Sequence, residues 1–386
     1  MSWSTLATAS IDHVRAWAER ESWCQAMAAC PQDPEWHAEG DVWTHTQLVL
    51  RELPRLAEWV AFSQHERTVL TFAALFHDAG KATTTAPDPL TGRLRSPKHA
   101  LKGEQLARRV LRELGCDLAT RERVAMLVRF HGRPAFLLEK ADPAREVVRL
   151  SWLLDHRLLV ALALADTRGR TTGVGRAEDT IHLWQMVAEE HGCFGRPYAF
   201  ANDAARVRYF HDEAPALHYV PHEAYACTVT MTSGLPGAGK DTWLAAHRPG
   251  LPVVSLDELR VELDVAATDA QGAVVQLARE RCREHLRARR SFAFNATNLT
   301  RAMRRRWVDL CCDYGARVEI AYVEPAWDVI LRQNKARASA VPDKVLAALA
   351  AKCEPPTWGE AHEVSVFDGA RTVDLLGRES SPHAMQ

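Results

Sequence analysis

Residues 227–246 of this 386-residue chain read CTVTMTSGLPGAGKDTWLAA, and this stretch decides the fold of the second half. A run rich in β-branched residues is followed by Gly234, Gly237 and Gly239, and then by Lys240 and a segment with helical character. This order predicts a strand, a glycine loop and a helix, in which backbone N–H groups surround phosphate oxygens and the lysine contacts the outermost ones. The stretch therefore predicts a nucleotide-binding site.

The sequence after this loop alternates between short apolar strands and helical segments. Strands, including the one before the loop, are predicted at 226–232, 252–255, 291–295 and 317–323. Helices are predicted at 239–246, 257–264, 270–290, 300–314, 325–338 and 342–351. Because strands that alternate with helices at this spacing pair in parallel, the expected fold class is α/β with a parallel sheet covered by helices.

One position departs from the usual sequence of such a loop. Asp241 stands where a Ser or Thr hydroxyl normally binds Mg²⁺. A carboxylate oxygen is also a suitable Mg²⁺ ligand, but it adds a negative charge near the β-phosphate. Thr242 offers a hydroxyl one residue later, although the helix turns that side chain about 100° away. Both residues remain candidates for nucleotide and Mg²⁺ binding.

A carboxylate and an arginine follow the next predicted strand. Asp257 comes at the carboxyl end of that strand, where open α/β sheets bind their ligands, and Arg260 lies one helical turn later. Asp257 is a candidate to accept the proton of a hydroxyl acceptor, and Arg260 is a candidate to hold a neighbouring phosphate. A plainer interpretation makes Asp257 a helix N-cap with Arg260 as its surface neighbour.

These residues resemble the polynucleotide 5′-kinase family, whose fold is an α/β P-loop kinase. The resemblance covers about 225–355 and rests on G-L-P-G-A-G-K, D-x-x-R, N-A-T-N-L at 295–299 and R-Q-N-K-A-R at 332–337. It implies an NTP such as ATP with Mg²⁺ as donor, Asp257 as general base and Arg260 as the acceptor-phosphate ligand. It also implies that two lid arginines, Arg332 and Arg337, contact the phosphates of the donor. Two further residues beside the loop, Thr297 and Asn298, are candidates for acceptor binding.

The first half of the chain has a different character. Apolar residues recur at helical spacing in six segments: 47–62, 68–79, 103–114, 120–130, 144–166 and 178–190. No alternating β-branched run interrupts them, so the pattern predicts an all-α helical bundle. Prolines and isolated aromatic residues then predict a linker at 196–221, between a domain at 1–195 and a domain at 222–386.

Histidine and aspartate residues are spread over these predicted helices. A single histidine on an apolar helix is usually a core residue, but imidazole and carboxylate groups on facing helices of a bundle can converge on metal. Mixed His and Asp ligands suit Mn²⁺, Co²⁺, Ni²⁺, Cu²⁺ or Zn²⁺. The candidate ligands are His45, His77, Asp78, His99, His131 and Asp166.

This set resembles the H…HD…D signature of the HD phosphohydrolase superfamily over roughly residues 40–170. It looks especially like the HD domains attached to tRNA nucleotidyltransferases, through H-D-x-G-K at 77–81 and H-x-R-P at 131–134. The resemblance implies hydrolysis of phosphate esters by metal-activated water, with a second metal for members that carry the extra histidines. Lys81 and Arg133 are candidates to contact the phosphate.

The balance of charge limits the kinds of partner. The formal net charge is −1, which excludes a uniformly basic nucleic-acid coat and an acidic disordered chain. Residues 279–306 nevertheless contain ten arginines against two glutamates, a local net charge of +8. This patch either follows a phosphate backbone or forms the solvated faces of two helices.

Several features indicate a cytoplasmic protein without a membrane partner. No run of 18 apolar residues is present, and Asp12, Arg15 and Glu19 stand where a signal peptide would be apolar. The nine cysteines form no C-x-x-C pair, which is typical of free thiols in a reducing compartment.

An HD module followed by a kinase-like module resembles the bacterial HD-Pnk RNA end-healing enzymes. The resemblance implies that the HD module opens a 2′,3′-cyclic phosphate and removes the remaining 2′- or 3′-phosphate. The kinase module would phosphorylate a 5′-OH, and a separate RNA ligase would seal the ends. RNA or DNA preference and oligomeric state stay open. So do two other interpretations, an HD nucleotidase fused to a small-molecule or nucleoside kinase and a non-catalytic nucleotide sensor.

Overall fold

Contacts between residues divide the chain into two units, one built on Met1–Ala199 and one formed by Phe200–Asp374. The computed structural model describes residues 1–172, 174–212, 216–337 and 339–376. The boundary lies inside the predicted linker 196–221. Among the described residues, none of the helices combines the length and the apolar character that a bilayer crossing requires.

The first unit is helical, as predicted. Its α-helices are α1 Trp3–Leu6, α2 Ile11–Ala18, α3 Ser22–Ala28, α4 Val42–Glu52, α5 Gln64–Phe76, α6 His99–Glu113, α7 Leu118–Phe130, α8 Pro143–Leu150, α9 His156–Arg168 and α10 Val174–Glu190. Short 3₁₀ helices span Leu53–Arg55, Ala57–Ala61, Ala79–Thr83 and Pro134–Glu139. A two-residue hairpin pairs β1 Ala86–Pro87 with β2 Leu94–Arg95.

Helix caps explain where several of these helices begin. Ser63 and Glu66 form a capping box at the start of α5, and the Asp41 side chain accepts a hydrogen bond from a backbone N–H at the start of α4. The predicted helix 144–166 is two helices because Asp155 caps α9. Long runs of consecutive residues in α5 and α9 are buried, so side chains near the carboxyl ends of these two helices lie in the interior of the unit.

The second unit contains a parallel five-stranded sheet covered by helices, which confirms the predicted fold class. Its strands are β3 Thr228–Ser233, β4 Val253–Ser255, β5 Phe292–Asn295, β6 Arg317–Val323 and β7 Glu363–Phe367, in the order β4-β5-β3-β6-β7. Its helices are α11 Asp203–His211, α12 Lys240–His247, α13 Leu256–Glu262, α14 Gly272–Arg287, α15 Arg301–Asp313, α16 Trp327–Lys335 and α17 Asp343–Lys352.

Two elements of this unit were not predicted. Strand β7 pairs in parallel with β6, and its five residues alternate too briefly to stand out in the sequence. Helix α11 lies within the predicted linker, where Arg206 donates hydrogen bonds to the backbone carbonyls of Trp358 and His362. Part of the predicted linker is therefore a folded part of the second unit.

Candidate functional site

The six predicted metal ligands converge in the interior of the first unit. His45 lies on α4, and His77 and Asp78 follow directly after α5. His99 begins α6, His131 follows directly after α7, and Asp166 lies near the end of α9. All six except His99 are buried.

The first group of ligand atoms surrounds Asp166. His45 Nε2 is 3.0 Å and His77 Nε2 is 3.8 Å from Asp166 Oδ1. Asp78 Oδ2 faces the same group, at 3.4 Å from His77 Nε2 and 3.8 Å from His45 Nε2. The candidate ligand atoms of His45, His77 and Asp166 all lie within 4.8 Å of one another, and an oxygen of Asp78 lies close to both imidazoles.

The second group lies on the other oxygen of Asp78. Asp78 Oδ1 is 3.5 Å from His99 Nε2 and 3.8 Å from His131 Nε2. The candidate ligand atoms of Asp78, His99 and His131 all lie within 4.8 Å of one another. Because its two oxygens face different groups, Asp78 is placed to be shared between two metal ions.

Three of the histidines have the same ring orientation. In His77, His99 and His131, Nδ1 lies 2.7 to 2.8 Å from the backbone carbonyl oxygen three residues earlier. A carbonyl oxygen only accepts, so Nδ1 carries a proton, and in the neutral form of the ring Nε2 presents a lone pair. The Nε2 of His77 is buried and has no hydrogen-bond partner. A buried lone pair without a partner fits a metal ligand, and a backbone carbonyl on the other nitrogen is the usual support of such a ligand.

Cations hold both aspartates in their ionised form. Burial raises the pKa of Asp78, but Lys81, whose Nζ is 2.7 Å from Oδ2, together with His77 and His99 holds that pKa well below its usual range. Burial likewise raises the pKa of Asp166, but Arg170, 3.0 Å from Oδ2, together with His45 and His77 holds that pKa well below its usual range. Both carboxylates are therefore charged, as metal ligands must be.

The imidazoles respond differently to burial. Burial lowers the pKa of His131 to about 3, so this ring is neutral and ready to coordinate. Burial also lowers the pKa of His45, but hydrogen bonds with Asp166 and Glu39 raise it overall to about 9. A metal ion on His45 Nε2 would take the place of that proton.

The structure adds neighbours that sequence reasoning missed. Glu39 Oε1 lies 2.9 Å from His45 Nδ1 and 2.8 Å from His37 Nδ1. Arg170 contacts both oxygens of Asp166. Its position four residues after Asp166 is a signal that the sequence contained, whereas Glu39 precedes α4 with no motif around it. Arg133, a predicted phosphate contact, instead pairs with Glu146 at 3.1 Å.

In the second unit, the glycine loop joins β3 to α12 in the predicted order. Gly234 has φ 145°, and a Cβ there would lie 2.4 Å from the carbonyl oxygen of Val323. Gly237 has φ 76°, and a Cβ there would lie 2.9 Å from the backbone nitrogen of Asn334. Only glycine fits these two positions without a backbone shift.

Lys240 folds back onto the loop. Its Nζ donates hydrogen bonds to the carbonyl oxygens of Gly234 at 3.1 Å and Leu235 at 2.9 Å. Burial lowers the pKa of Lys240 to about 8. Gly239, with φ 91°, precedes it as the N-cap of α12. The ammonium therefore lies inside the loop whose N–H groups would surround a phosphate.

Asp257 lies between two arginines. Its Oδ1 pairs with Arg260 Nη1, and its Oδ2 is 3.6 Å from Arg337 Nη2. Its side chain is 72% exposed. The plainer interpretation of Asp257 as an N-cap is wrong, because Ser255 caps α13. Arg260 is held in turn by Gln271 Oε1 at 2.7 Å.

The other residues predicted to contact the nucleotide or the acceptor lie in different surroundings. Arg332 pairs with Asp328 at 3.2 Å on the exposed face of α16, and is not brought to Asp257. The backbone carbonyl of Thr297 accepts a hydrogen bond from the Gly234 N–H at 2.9 Å. Asn298 is 3% exposed, and its side chain donates to the carbonyl of Thr232 in β3. Thr297 and Asn298 thus support the loop from β5.

Asp241, the residue after Lys240, also has a hydrogen-bond partner. Asn295 Nδ2 donates a hydrogen bond to Asp241 Oδ1 at 2.5 Å, while the neighbouring Thr242 is exposed.

Within the arginine-rich stretch 279–306, Arg304 is fully buried and pairs with Glu360 at 2.7 Å. That arginine is part of the core and unavailable to a nucleic acid.

Comparisons with known proteins agree with this division. Residues 42–156 match the family model of the HD domain, and residues 229–356 match that of an AAA domain. The chain joins an HD domain to a P-loop kinase-like domain. The HD match ends before Asp166 and Arg170, so the fold is what brings these two residues to the HD centre. Strand β7 likewise lies beyond the P-loop match.

Curated relatives match only part of the chain. The Multifunctional CCA protein of Halorhodospira halophila is 34% identical over 156 residues, which are 38% of this chain and 33% of the relative. The CC-adding tRNA nucleotidyltransferase of Thermus thermophilus is 39% identical over 106 residues, 27% of this chain and 23% of the relative. The chain thus spans about a third or less of the length of these relatives, and the likeness to them lies in the HD domain.

A solved structure of a proposed kinase from Chloroflexus aurantiacus is also similar. It is 15% identical, with a TM-score of 0.32, and the match covers 37% of this chain and 86% of that one.

Proposed function

We propose that the chain is a bifunctional RNA end-healing enzyme. The HD domain would hydrolyse a 2′,3′-cyclic phosphate and the resulting 2′- or 3′-phosphate, and the P-loop domain would transfer the γ-phosphoryl group of an NTP to a 5′-OH. These are the two reactions that convert the ends left by many ribonucleases into ends that a separate ligase can join. The placement of an exposed Asp257 between Arg260 and Arg337 is the observation that carries the proposal.

In the P-loop domain, Asp257 is suited to act as general base. It would accept the proton of the 5′-OH as that oxygen bonds to the γ-phosphorus and the bond to the β-phosphate oxygen breaks. Arg260 would hold the phosphate next to the acceptor hydroxyl, and Arg337 and Lys240 would neutralise the donor phosphates. A polynucleotide has a phosphate beside its 5′-OH and a free nucleoside has none, so an acceptor-phosphate contact by Arg260 favours a phosphorylated acceptor such as RNA over a nucleoside.

In the HD domain, one divalent transition-metal ion would be held by His45, His77, Asp78 and Asp166, and a second by Asp78, His99 and His131. Such ions, when bound, lower the pKa of water and polarise a phosphate. Lys81 and Arg170 line the same centre with side chains 12% and 23% exposed, so both are accessible to a phosphate from solvent. Two relatives of the HD domain carry tRNA or CCA in their names, which supports RNA ends as its substrates.

The test of the kinase half uses an RNA oligonucleotide with a 5′-OH and γ-labelled ATP. We expect label on the RNA with the unmodified chain and a loss of roughly 10²-fold or more with Asp257→Asn, because a general base contributes about that factor. Label on nucleosides but not on RNA would support a small-molecule kinase. Nucleotide binding with no transfer to either acceptor would indicate a sensor.

The test of the hydrolase half uses RNA with a 2′,3′-cyclic phosphate and a panel of divalent metals. We expect His77→Ala to abolish hydrolysis and to leave 5′-phosphorylation unchanged, because His77 lies in the first unit. The reciprocal control is Asp257→Asn, which should leave hydrolysis unchanged. Hydrolysis that persists in His77→Ala, with the metal content also lost, would refute the assignment of the centre.

A further inference from the structure

The residue pair Asp241 and Asn295 has an unusual chemistry for a phosphate loop. Asp241 lies in the first turn of α12, directly after Lys240, and Asn295 ends β5, the strand beside β3. P-loop enzymes usually hold Mg²⁺ with a hydroxyl on the helix and an acidic residue at the end of a neighbouring strand. Here the helix carries the carboxylate and the strand carries the uncharged amide.

The orientation of the amide is fixed by a third side chain. Thr232 Oγ1, in β3, donates a hydrogen bond to Asn295 Oδ1 at 2.8 Å. The NH₂ group of Asn295 therefore faces Asp241 and donates to its Oδ1 at 2.5 Å. Among the described residues, the other oxygen of Asp241, Oδ2, accepts no hydrogen bond from a side chain, and the residue is exposed beside the loop.

The charge of this pair equals that of the usual pair. One carboxylate is present in either arrangement, so Asp241 adds no net negative charge beside the β-phosphate relative to a loop with Ser or Thr and a strand aspartate. Glu324, which follows β6, is buried and accepts a hydrogen bond from the Tyr322 hydroxyl. Asp257 is engaged by two arginines. Of these three acidic residues in the described part of the chain, Asp241 is the one that is exposed and forms no ion pair with an arginine, so its carboxylate is free to meet a cation.

We propose that the Mg²⁺ ligands of this loop are transposed: Asp241 Oδ2 binds the ion of the Mg²⁺–nucleotide complex, and Asn295 is the positioning residue that aims it. The inference rests on the proposed nucleotide site and names its metal ligand. Carboxylate oxygen is a preferred Mg²⁺ ligand, and one or two protein carboxylates with phosphate oxygens are the usual set.

The test measures binding of the fluorescent nucleotide mant-ATP by the full chain, with Mg²⁺ and with EDTA. We expect Mg²⁺ to tighten binding in the unmodified chain and Asp241→Ala, which leaves no oxygen ligand on this side chain, to lose roughly tenfold or more of that effect, since loss of a metal-site contact typically costs this much. Mn²⁺ in place of Mg²⁺ gives a second readout, because the EPR signal of free Mn²⁺ reports its affinity for the protein–nucleotide complex directly.

The decisive variant is the double exchange Asp241→Ser with Asn295→Asp, which restores the usual arrangement. We expect it to recover the Mg²⁺ effect that Asp241→Ala loses. Glu284→Gln, which removes an exposed acid on α14, is the charge control and should behave as the unmodified chain. Thermal melts of each variant distinguish loss of the metal ligand from loss of the fold.

Three results would overturn the inference. They are an undiminished Mg²⁺ effect in Asp241→Ala, a folded double variant with no recovery, and loss of the effect in Thr242→Ala while Asp241→Ala keeps it. The RNA kinase proposal can fail separately. Mg²⁺-dependent binding that Asp241→Ala abolishes supports the transposed site even if 5′-OH RNA is never labelled.

Discussion

Replacement of Arg304 by methionine should destabilise the second unit. Arg304 is fully buried on α15 and forms two hydrogen bonds to the Glu360 carboxylate, at 2.7 and 3.0 Å. It donates two more to the backbone carbonyls of Asn298, at 3.0 Å, and Glu354, at 2.7 Å. Since the Asn298 segment supports the phosphate loop, this arginine links the core to the nucleotide site.

The size of this loss in stability depends on which hydrogen bonds the partners of Arg304 retain when the arginine is removed. Breaking a buried ion pair from one side costs about 3–5 kcal/mol. Glu360 keeps a hydrogen bond from the Thr357 N–H and lies 3.5 Å from Arg301, and the Asn298 carbonyl keeps the Ser233 hydroxyl. The Glu354 carbonyl has no such replacement among the hydrogen bonds of the described residues. We therefore expect a loss of about 3 kcal/mol, near the lower end of that range.

Chemical denaturation followed by tryptophan fluorescence measures this loss. Arg305→Met is the matched control, because Arg305 is 60% exposed on the same helix and pairs with Asp309 at 3.4 Å. Its cost should stay within about 0.5 kcal/mol. A cost of less than about 1 kcal/mol for Arg304→Met would refute the reasoning, as would equal costs for the two variants.

Lowering the pH should narrow the difference in free energy of unfolding between Arg304→Met and the unmodified chain. Burial raises the pKa of Glu360, but Arg304, together with the smaller effects of Arg301 and the Thr357 N–H, lowers that pKa below its usual range. Stability from this ionised group is therefore present above its unfolded pKa and is lost as the pH falls through its folded one. In Arg304→Met the lowered pKa is lost, so that variant should lose less stability in acid.

Three further changes test the sites. Glu39→Gln should weaken metal binding at the HD centre by about tenfold, because Glu39 orients His45; isothermal titration with Mn²⁺ measures it, and unchanged affinity would argue against that role. Arg170→Met should slow hydrolysis of 2′,3′-cyclic phosphate RNA by about tenfold or more at saturating metal, and an unchanged rate would remove Arg170 from the phosphate site. Gly237→Ala should weaken mant-ATP binding, since its Cβ would lie 2.9 Å from the Asn334 backbone nitrogen; full affinity in this variant would show that the loop tolerates a side chain.

Much of the architecture could be read from local sequence. The four predicted strands and the helices around them overlap observed elements, because an apolar run and a glycine turn carry their conformational preference in neighbouring residues. The prediction failed where that local signal is short, as in β7, or interrupted, as at the Asp155 cap between α8 and α9. Helices α1 to α3 were not predicted either, and they are only four to eight residues long.

The sequence by itself determined the kinds of chemical group at both sites: the glycine loop with Lys240, and the histidines and aspartates of the HD motif. Only the tertiary structure decided how they meet. His45 and Asp166 are 121 residues apart and come within 3.0 Å, and Asn295 reaches Asp241 across 54 residues. Glu39 carries no motif of its own, and the motif that contains Asn295 gave no sign of its contact with Asp241. Their roles arise because packing of distant helices and strands places one polar atom within hydrogen-bond reach of another.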